Sequence, residues 1–210
     1  MKTYLITLSL FLFSIKLMAA PAIAPSPEQV TPLLNGLTIP AVSLTTADNT
    51  PVLLMDLVKQ KPSVIVFYRG GWCPYCNAQL SALRDIEPQL SALGYQLIAI
   101  TPDSTASISK SLHDTGGQKL NYTLLSDTNF AASSAFGLAY YLDDKTAAAY
   151  KGKLGSLITT EAGSEKVVLP VPAVYIVNTQ GEALFNYVHI NYKTRLEGEL
   201  LLKAAELALQ

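Results

Sequence analysis

The sequence predicts an α/β fold, a central sheet flanked by helices, and three observations predict it. Strand-like and helix-like segments alternate from Ser63 to the C-terminus. The stretch "SVIVFY" (63–68) is an unbroken β-branched and aromatic run, the pattern of a strand buried on both faces. A chain of 210 residues, half of them hydrophobic, is long enough to bury one core without help from disulfides or metal.

The first residues carry an address rather than an element. Lys2 precedes the largely apolar "YLITLSLFLFSI", and small residues follow in "MAAPAIA". Residues 1–22 are expected to form a secretory signal peptide, cleaved between Ala19 and Ala24 and closest to Ala22. The apolar run is shorter than the ~20 residues of a spanning helix, and Lys16 interrupts it, so no stable membrane insertion is expected after cleavage. No cysteine precedes Cys73, which removes the acceptor of a lipid anchor. The expected location is exported, periplasmic before secreted. Residues 23–35, rich in proline, are expected as a flexible segment, and one domain is expected over 36–210.

Within that domain "AVSLTT", the turn "ADNT" and "PVLLMDLV" predict an N-terminal hairpin running into one helical turn. "SVIVFY" opens the central sheet. From Cys73, the residues Cys76, Leu80, Leu83, Leu90 and Leu93 recur at helical spacing, with Pro88 expected to kink or break the helix. "YQLIAIT" is a second buried strand, "STASISKSLHDTGG" a helix ending in glycine, "NYTLLSD" a third strand and "TNFAASSAFG" a helix. The pattern loosens between Leu138 and Val168, a middle insertion with one possible helix in "YYLDDKTAAAYKGKLG". "PAVYIVNTQGEALFNYV" predicts two strands around "NTQG", and "RLEGELLLKAAELAL", from Arg195, a closing amphipathic helix.

The formal net charge is −1, and removing Lys2 and Lys16 with the leader leaves 13 basic against 16 acidic residues. No basic stripe is available to neutralise phosphates, so nucleic acid is not an expected partner.

The chemistry concentrates in "VIVFYRGGWCPYCNAQL" (64–80), which holds both cysteines of the chain, Cys73 and Cys76. If a helix starts at Cys73, Pro74 occupies its first position, where a missing N–H costs nothing. Cys73 then lies at the positive end of the helix dipole, against unpaired N–H groups that favour thiolate over thiol. Cys76, one turn along, faces the same side but is more shielded. Cys73 is therefore the expected nucleophile and Cys76 the resolving thiol. Arg69 either adds positive charge near Cys73 or is a solvated surface arginine; the sequence leaves both open.

Zinc fails by ligand count, since beyond the cysteines only His113 and His189 are available. Copper(I) needs fewer ligands, so Cys73, Cys76 and His189 form the alternative metal site. A structural staple across so short a loop stabilises little. A reversible dithiol explains the helix-start chemistry best, with no metal and no cofactor expected.

Strand, "WCPYC" and helix in series resemble the thioredoxin superfamily, and "CPYC" resembles the glutaredoxin active-site tetrapeptide. The wider set "VIVFYRGGWCPYCNAQL", "LIAITPDS", "YTLLSD", "AFG" and "LPVPAVYIV" resembles the peroxiredoxin-like branch of the AhpC/TSA family, from about Gly36 to the C-terminus. The resemblance implies a thioredoxin-like fold with a mixed sheet. It also implies a substrate-facing role for Trp72, which shields the thiols, and for Val171 and Pro172. Pro172 resembles the cis-proline that faces the CxxC pair, although Pro170 and Pro172 also fit a plain loop end.

Two departures bear on activity. Peroxiredoxins usually carry a threonine or serine three residues before the reacting cysteine and an arginine near the late strand. Here Gly70 and "VPAV" stand in those places. The expectation is an exported thiol–disulfide oxidoreductase acting on thiol or disulfide proteins with an electron-donating thiol as partner, and turning over hydrogen peroxide slowly. A thiol-dependent peroxidase and a Sco-like copper(I) chaperone are the alternatives.

Overall fold

The computed structural model describes residues 23–114, 121–150, 157–161 and 163–208. The leader, the glycine end of "STASISKSLHDTGG" and the "KGKLG" end of the middle segment lie outside the described residues.

The hairpin forms as expected from β1 (Ser43–Thr46) and β2 (Pro51–Leu53), followed by α1 (Leu54–Val58). Every residue of β3 (Ser63–Phe67) is buried, as its composition predicts. It is followed by α2 (Pro74–Ala92), β4 (Gln96–Thr101), α3 (Thr105–Asp114), β5 (Thr123–Ser126) and α4 (Ala131–Ala135). Strands β3, β4 and β5 pair in parallel. Late strands β9 (Ala173–Val177) and β10 (Ala183–Val188) add antiparallel beside β3, and β1 adds antiparallel beside β5. The result is a mixed seven-stranded sheet in the order β10-β9-β3-β4-β5-β1-β2.

Alternate residues of each strand enter opposite layers. Ile65, Phe67, Ile98, Ile100 and Tyr175 pack with Leu54, Val58 and Phe136 on one face. Val64, Val66, Ala99, Val174 and Ile176 pack on the other against Cys76, Leu80, Leu83 and Leu90 of α2 and Leu201 and Ala205 of α6 (Gly198–Ala208). The middle insertion is a small sheet of β6 (Ala139–Tyr141), β8 (Ser164–Pro170) and β7 (Ile158–Glu161), with α5 (Asp144–Tyr150).

Three expectations need correction. Helix α2 runs uninterrupted through Pro88. An interior proline costs ~3 kcal/mol, but the fully packed Leu83 and Leu90 on either side each contribute roughly 1.5–3 kcal/mol by burial, enough to hold the helix together. The last helix begins at Gly198 rather than Arg195. A turn closed by Thr194 N–H on the Asn191 carbonyl carries the chain over α2 first, and the first helical bond is Leu201 N–H to Glu197 C=O.

Nor is the segment 23–35 loose. Ala24 N–H donates to Ala139 C=O and Ala24 C=O accepts from Tyr141 N–H, both at 2.9 Å. Thr31 and Leu33 donate to the carbonyls of Gly137 and Phe136, and the Asn186 amide donates to Leu33 C=O. The segment is a strap over α4 and β6, held by the paired backbone groups of Ala24, Thr31 and Leu33.

The strap rests on Gly137, whose φ of +66° suits glycine and where a Cβ would stand 1.9 Å from the Thr31 carbonyl oxygen. Gly137→Ala is expected to lower unfolding free energy by about 2 kcal/mol or more, since left-handed strain alone costs ~1–2 kcal/mol and the strap must also shift. Urea unfolding measures the loss; an unchanged midpoint contradicts this account.

A thiol pair at a helix start

The site is built where β3 meets α2. After Phe67 the chain makes one more sheet bond, Tyr68 N–H to Ile100 C=O, and then turns sharply at Gly70, φ +141°. Gly71 N–H donates to the buried Asp103 carboxylate at 2.7 Å, and Cys73 N–H donates to Gly70 C=O at 3.1 Å. The turn is thus tied to the loop that follows β4. The Asn77 side-chain amide closes it from the helix side by donating to Gly71 C=O at 2.8 Å.

Cys73 is the N-cap of α2 and Pro74 its first residue, as the sequence predicts. Its carbonyl accepts the N–H groups of Cys76 and Asn77. Both thiols are free and buried, Cys73 at 1% exposure and Cys76 at 0%. The Cys76 thiol hydrogen-bonds the Cys73 sulfur, and together with the Cys76 N–H and the guanidinium charges of Arg69 and Arg195 this lowers the Cys73 pKa to about 6 against the opposing effect of burial. Cys76 moves the other way, first because its proton is held by Cys73 and then by desolvation. The two thiols titrate as a pair, and Cys73 is the one drawn toward the thiolate.

Arg69 is buried, 3% exposed, rather than solvated. Its guanidinium lies 4.2 Å from the Tyr192 ring centroid and 5.3 Å from that of Trp72, a cation–π arrangement, and its Nε has no hydrogen-bond partner. Trp72 is half-buried and packs on Tyr150 at 5.8 Å. Val171 is fully buried and spends its N–H on Leu138 C=O.

The expected cis bond before Pro172 is not formed, since every peptide among the described residues is trans. The preceding chain belongs to β8, pinned to β6 through Pro170 opposite Ala139, and runs straight into β9. Pro172 instead lines a narrow slot with Gln79, Thr194 and Arg195.

Sequence reasoning missed Arg195 and Gln79. Arg195 Nη2 donates to the Cys76 sulfur at 3.3 Å and Nη1 to Gln79 Oε1 at 3.1 Å. Gln79 follows Cys76 by three residues on the buried stripe of α2, and a polar side chain on an apolar stripe is the one signal that announced a partner. His189 accepts from Asn191 N–H through Nδ1 and stacks on Tyr187, while His113 sits on α3 with its side chain outside the described residues. Among the described residues no three His, Cys, Asp or Glu side chains group to hold a metal.

A model of the AhpC/TSA family matches residues 36–183. The chain is 32% identical over 107 residues to the putative peroxiredoxin bcp of Haemophilus influenzae, covering 51% of this chain and 66% of that one. It is 31% identical over 106 residues to the chloroplastic peroxiredoxin Q of Sedum lineare, covering 50% and 54%. The chain thus spans less than two thirds of the length of the curated relatives it matches. The fold is similar to that of reduced Prx3 from Vibrio vulnificus, TM-score 0.64 at 17% identity over 83% of this chain and 99% of that one. It is also similar to that of a thiol peroxidase from Chromobacterium violaceum, TM-score 0.61 at 18% identity over 90% and 92%.

Two outcomes test this geometry. The thiolate fraction of Cys73 rises as pH passes its pKa, so the alkylation rate is expected to reach half its plateau near pH 6, against ~8.5 for an ordinary thiol; a midpoint above 8 contradicts this coupling of the two thiols. Gly70→Ser, which restores a hydroxyl three residues before Cys73, is expected to destabilise the fold and slow the thiol rather than activate it. A Cβ there would stand 2.3 Å from Trp72 Nε1 and 2.8 Å from Asp103 Oδ1. Thermal melting and the alkylation rate of the variant decide this.

Proposed function

We propose that this chain, which belongs to the AhpC/TSA family, is a thiol-dependent peroxidase in which Cys73 reduces a hydroperoxide and Cys76 closes on it. The observation that carries the proposal is Cys73 at the N-cap of α2 with Cys76 one turn on and Arg195 bonded to its sulfur, an arrangement that lowers the Cys73 pKa.

The sequence ranks disulfide exchange above peroxide reduction, because Gly70 and "VPAV" leave nothing to polarise the oxygen–oxygen bond. Two findings reverse that order. The curated relatives carry the peroxiredoxin name, and Arg69 and Arg195 bring guanidinium charge to the thiol pair from outside the late strand. A guanidinium stabilises the negative charge that builds on the leaving oxygen.

In the cycle proposed, the Cys73 thiolate attacks the distal peroxide oxygen, the O–O bond breaks, and the alcohol or water leaves with a proton. Cys73 becomes a sulfenic acid. Cys76 then attacks its sulfur, water departs, and a Cys73–Cys76 disulfide remains for an external thiol to reduce. Trp72 shields the pair, and Pro172 lines the slot beside Gln79 and Arg195. No step calls for a metal, flavin or haem.

Disulfide exchange is the second reading, favoured by one specific feature. Both thiols lie on the first turn of one helix, Cys73 as its N-cap, so a mixed disulfide on Cys73 has its resolving thiol one turn away. The copper reading gains no support from His189, whose Nδ1 faces its own loop. Export belongs to this proposal as well. Cleavage after Ala22 leaves Ala24 free to make its two bonds to β6.

Stopped-flow oxidation by hydrogen peroxide and reduction of a model disulfide, on one sample, separate the two readings. The expected result is peroxide consumption dependent on added thiol and lost in Cys73→Ser, with Cys76→Ser retaining the first attack. Disulfide reduction orders of magnitude faster than peroxide oxidation overturns the peroxidase and leaves exchange. The intact mass of the exported protein is expected to lack residues 1–22; a chain that keeps Met1 contradicts export by cleavage.

A further inference from the structure

The loop after β10 brings one guanidinium to the sulfur that is not the nucleophile. Arg195 Nη2 donates to Cys76 Sγ at 3.3 Å, and Gln79, one turn beyond Cys76 on α2, orients the fork by accepting from Nη1 at 3.1 Å. Arg195 makes no ion pair among the described residues, and its Nε is buried without a partner. A guanidinium held this way, with no carboxylate, is an uncompensated cation beside a thiol.

In the resting pair that cation has little to act on at Cys76, because Cys73 is the thiol drawn toward the anion and its neighbourhood favours the protonated form of Cys76. Oxidation of Cys73 changes this. A sulfenic acid or a mixed disulfide at Cys73 carries no charge, so the group that keeps the proton on Cys76 is gone while Arg195 stays. We propose that Arg195 is a catalytic residue of the second half-reaction, which hydrogen-bonds the Cys76 sulfur and holds it as the thiolate that closes on oxidised Cys73. The inference rests on Cys73 reacting first, as in the function proposed above.

The step balances without a further reagent. The Cys76 proton leaves to solvent, the Cys76 sulfur attacks the Cys73 sulfur, the S–S bond forms, and the S–O bond breaks. Hydroxide departs and takes up a proton as water. Cys76 is oxidised and Cys73 reduced by one unit each. With a mixed disulfide the S–S bond to the substrate breaks instead, and the substrate thiolate leaves.

A hydrogen bond from a charged donor is worth about tenfold to a hundredfold in thiolate fraction. A more basic thiolate recovers roughly half of that on a logarithmic scale through its greater nucleophilicity. Loss of Arg195 is therefore expected to slow closure by about threefold to tenfold. The other titratable groups around Cys76 are Cys73, Tyr68 at the end of β3 with Asp103 beside it, and Arg69. Of these only Cys73 changes charge between the two half-reactions.

Trp72, the single tryptophan, adjoins Cys73 and reports both phases in stopped-flow fluorescence. The first depends on peroxide concentration and the second does not. In Arg195→Gln the second phase is expected to slow about threefold to tenfold and its pH midpoint to rise, with a smaller change in the first phase. Arg195→Lys, which keeps a cation, is expected to recover most of the rate. A second phase with unchanged rate and pH midpoint in Arg195→Gln overturns the inference, as does a Lys variant as slow as Gln. If the wild-type protein shows no peroxide-dependent phase, the peroxidase reading fails by itself. The same closure is then read on a mixed disulfide formed with a model aromatic disulfide, where the same outcomes apply.

Discussion

The coupling of two thiols on the first turn of one helix is the interaction on which the site depends. Cys73 is buried, yet the Cys76 thiol and N–H and the nearby charges of Arg69 and Arg195 favour its thiolate, and the same coupling favours the protonated form of Cys76. A buried anion without such partners takes up a proton instead. The asymmetry of the pair therefore comes from position along one helix. Cys73 is at its start, as the N-cap, and Cys76 is one turn in, against the sheet.

That position is set by the turn between β3 and α2. β3 lies between β4 and β9, with all five residues buried, so its end cannot shift. Gly70 supplies a backbone conformation that side chains resist, and the Asp103 carboxylate fastens Gly71 N–H to the end of the neighbouring strand. Burial raises the Asp103 pKa while the Gly71 bond works against it. Gly70 therefore does not stand for a lost hydroxyl at a vacant position, because Trp72 and Asp103 already occupy the space a side chain needs.

What was legible in the sequence was whatever local pattern encodes. The β3 run, the helix start at Pro74, the stripe of Cys76, Leu80 and Leu83, and the hairpin before α1 all follow from periodicity and from proline's missing N–H, and the structure has them. Pairing across long separations was not legible. The strap was expected loose because proline and polar residues dominate it, yet its bonds go to Phe136, Gly137 and Ala139, more than a hundred residues away. Pro88 is expected to kink or break α2; the helix is not broken there, since the burial of leucines on both sides outweighs the lost bond. Arg195 was missed for the same reason, since it is 119 residues from the sulfur it touches and its helical-looking neighbourhood hid a turn.

The placement of that charge bears on how one frame accommodates different chemistry. Besides Arg69 at the turn after β3, a cation can reach a thiol at the start of α2 from β9, which lies beside β3, or from the loop after β10, which meets α2 at Gln79. This chain spends the first route on apolar packing, with Val171 and Ala173 buried beneath the junction of the two sheets, and so has no room there for a guanidinium. It uses the second, where Gln79 supplies the acceptor that fixes the arginine fork. An arginine arriving from β9 would approach along the sheet, whereas one arriving over α2 meets Cys76 from the helix side. The geometry of approach, more than the presence of a charge, decides which of the two sulfurs the cation serves.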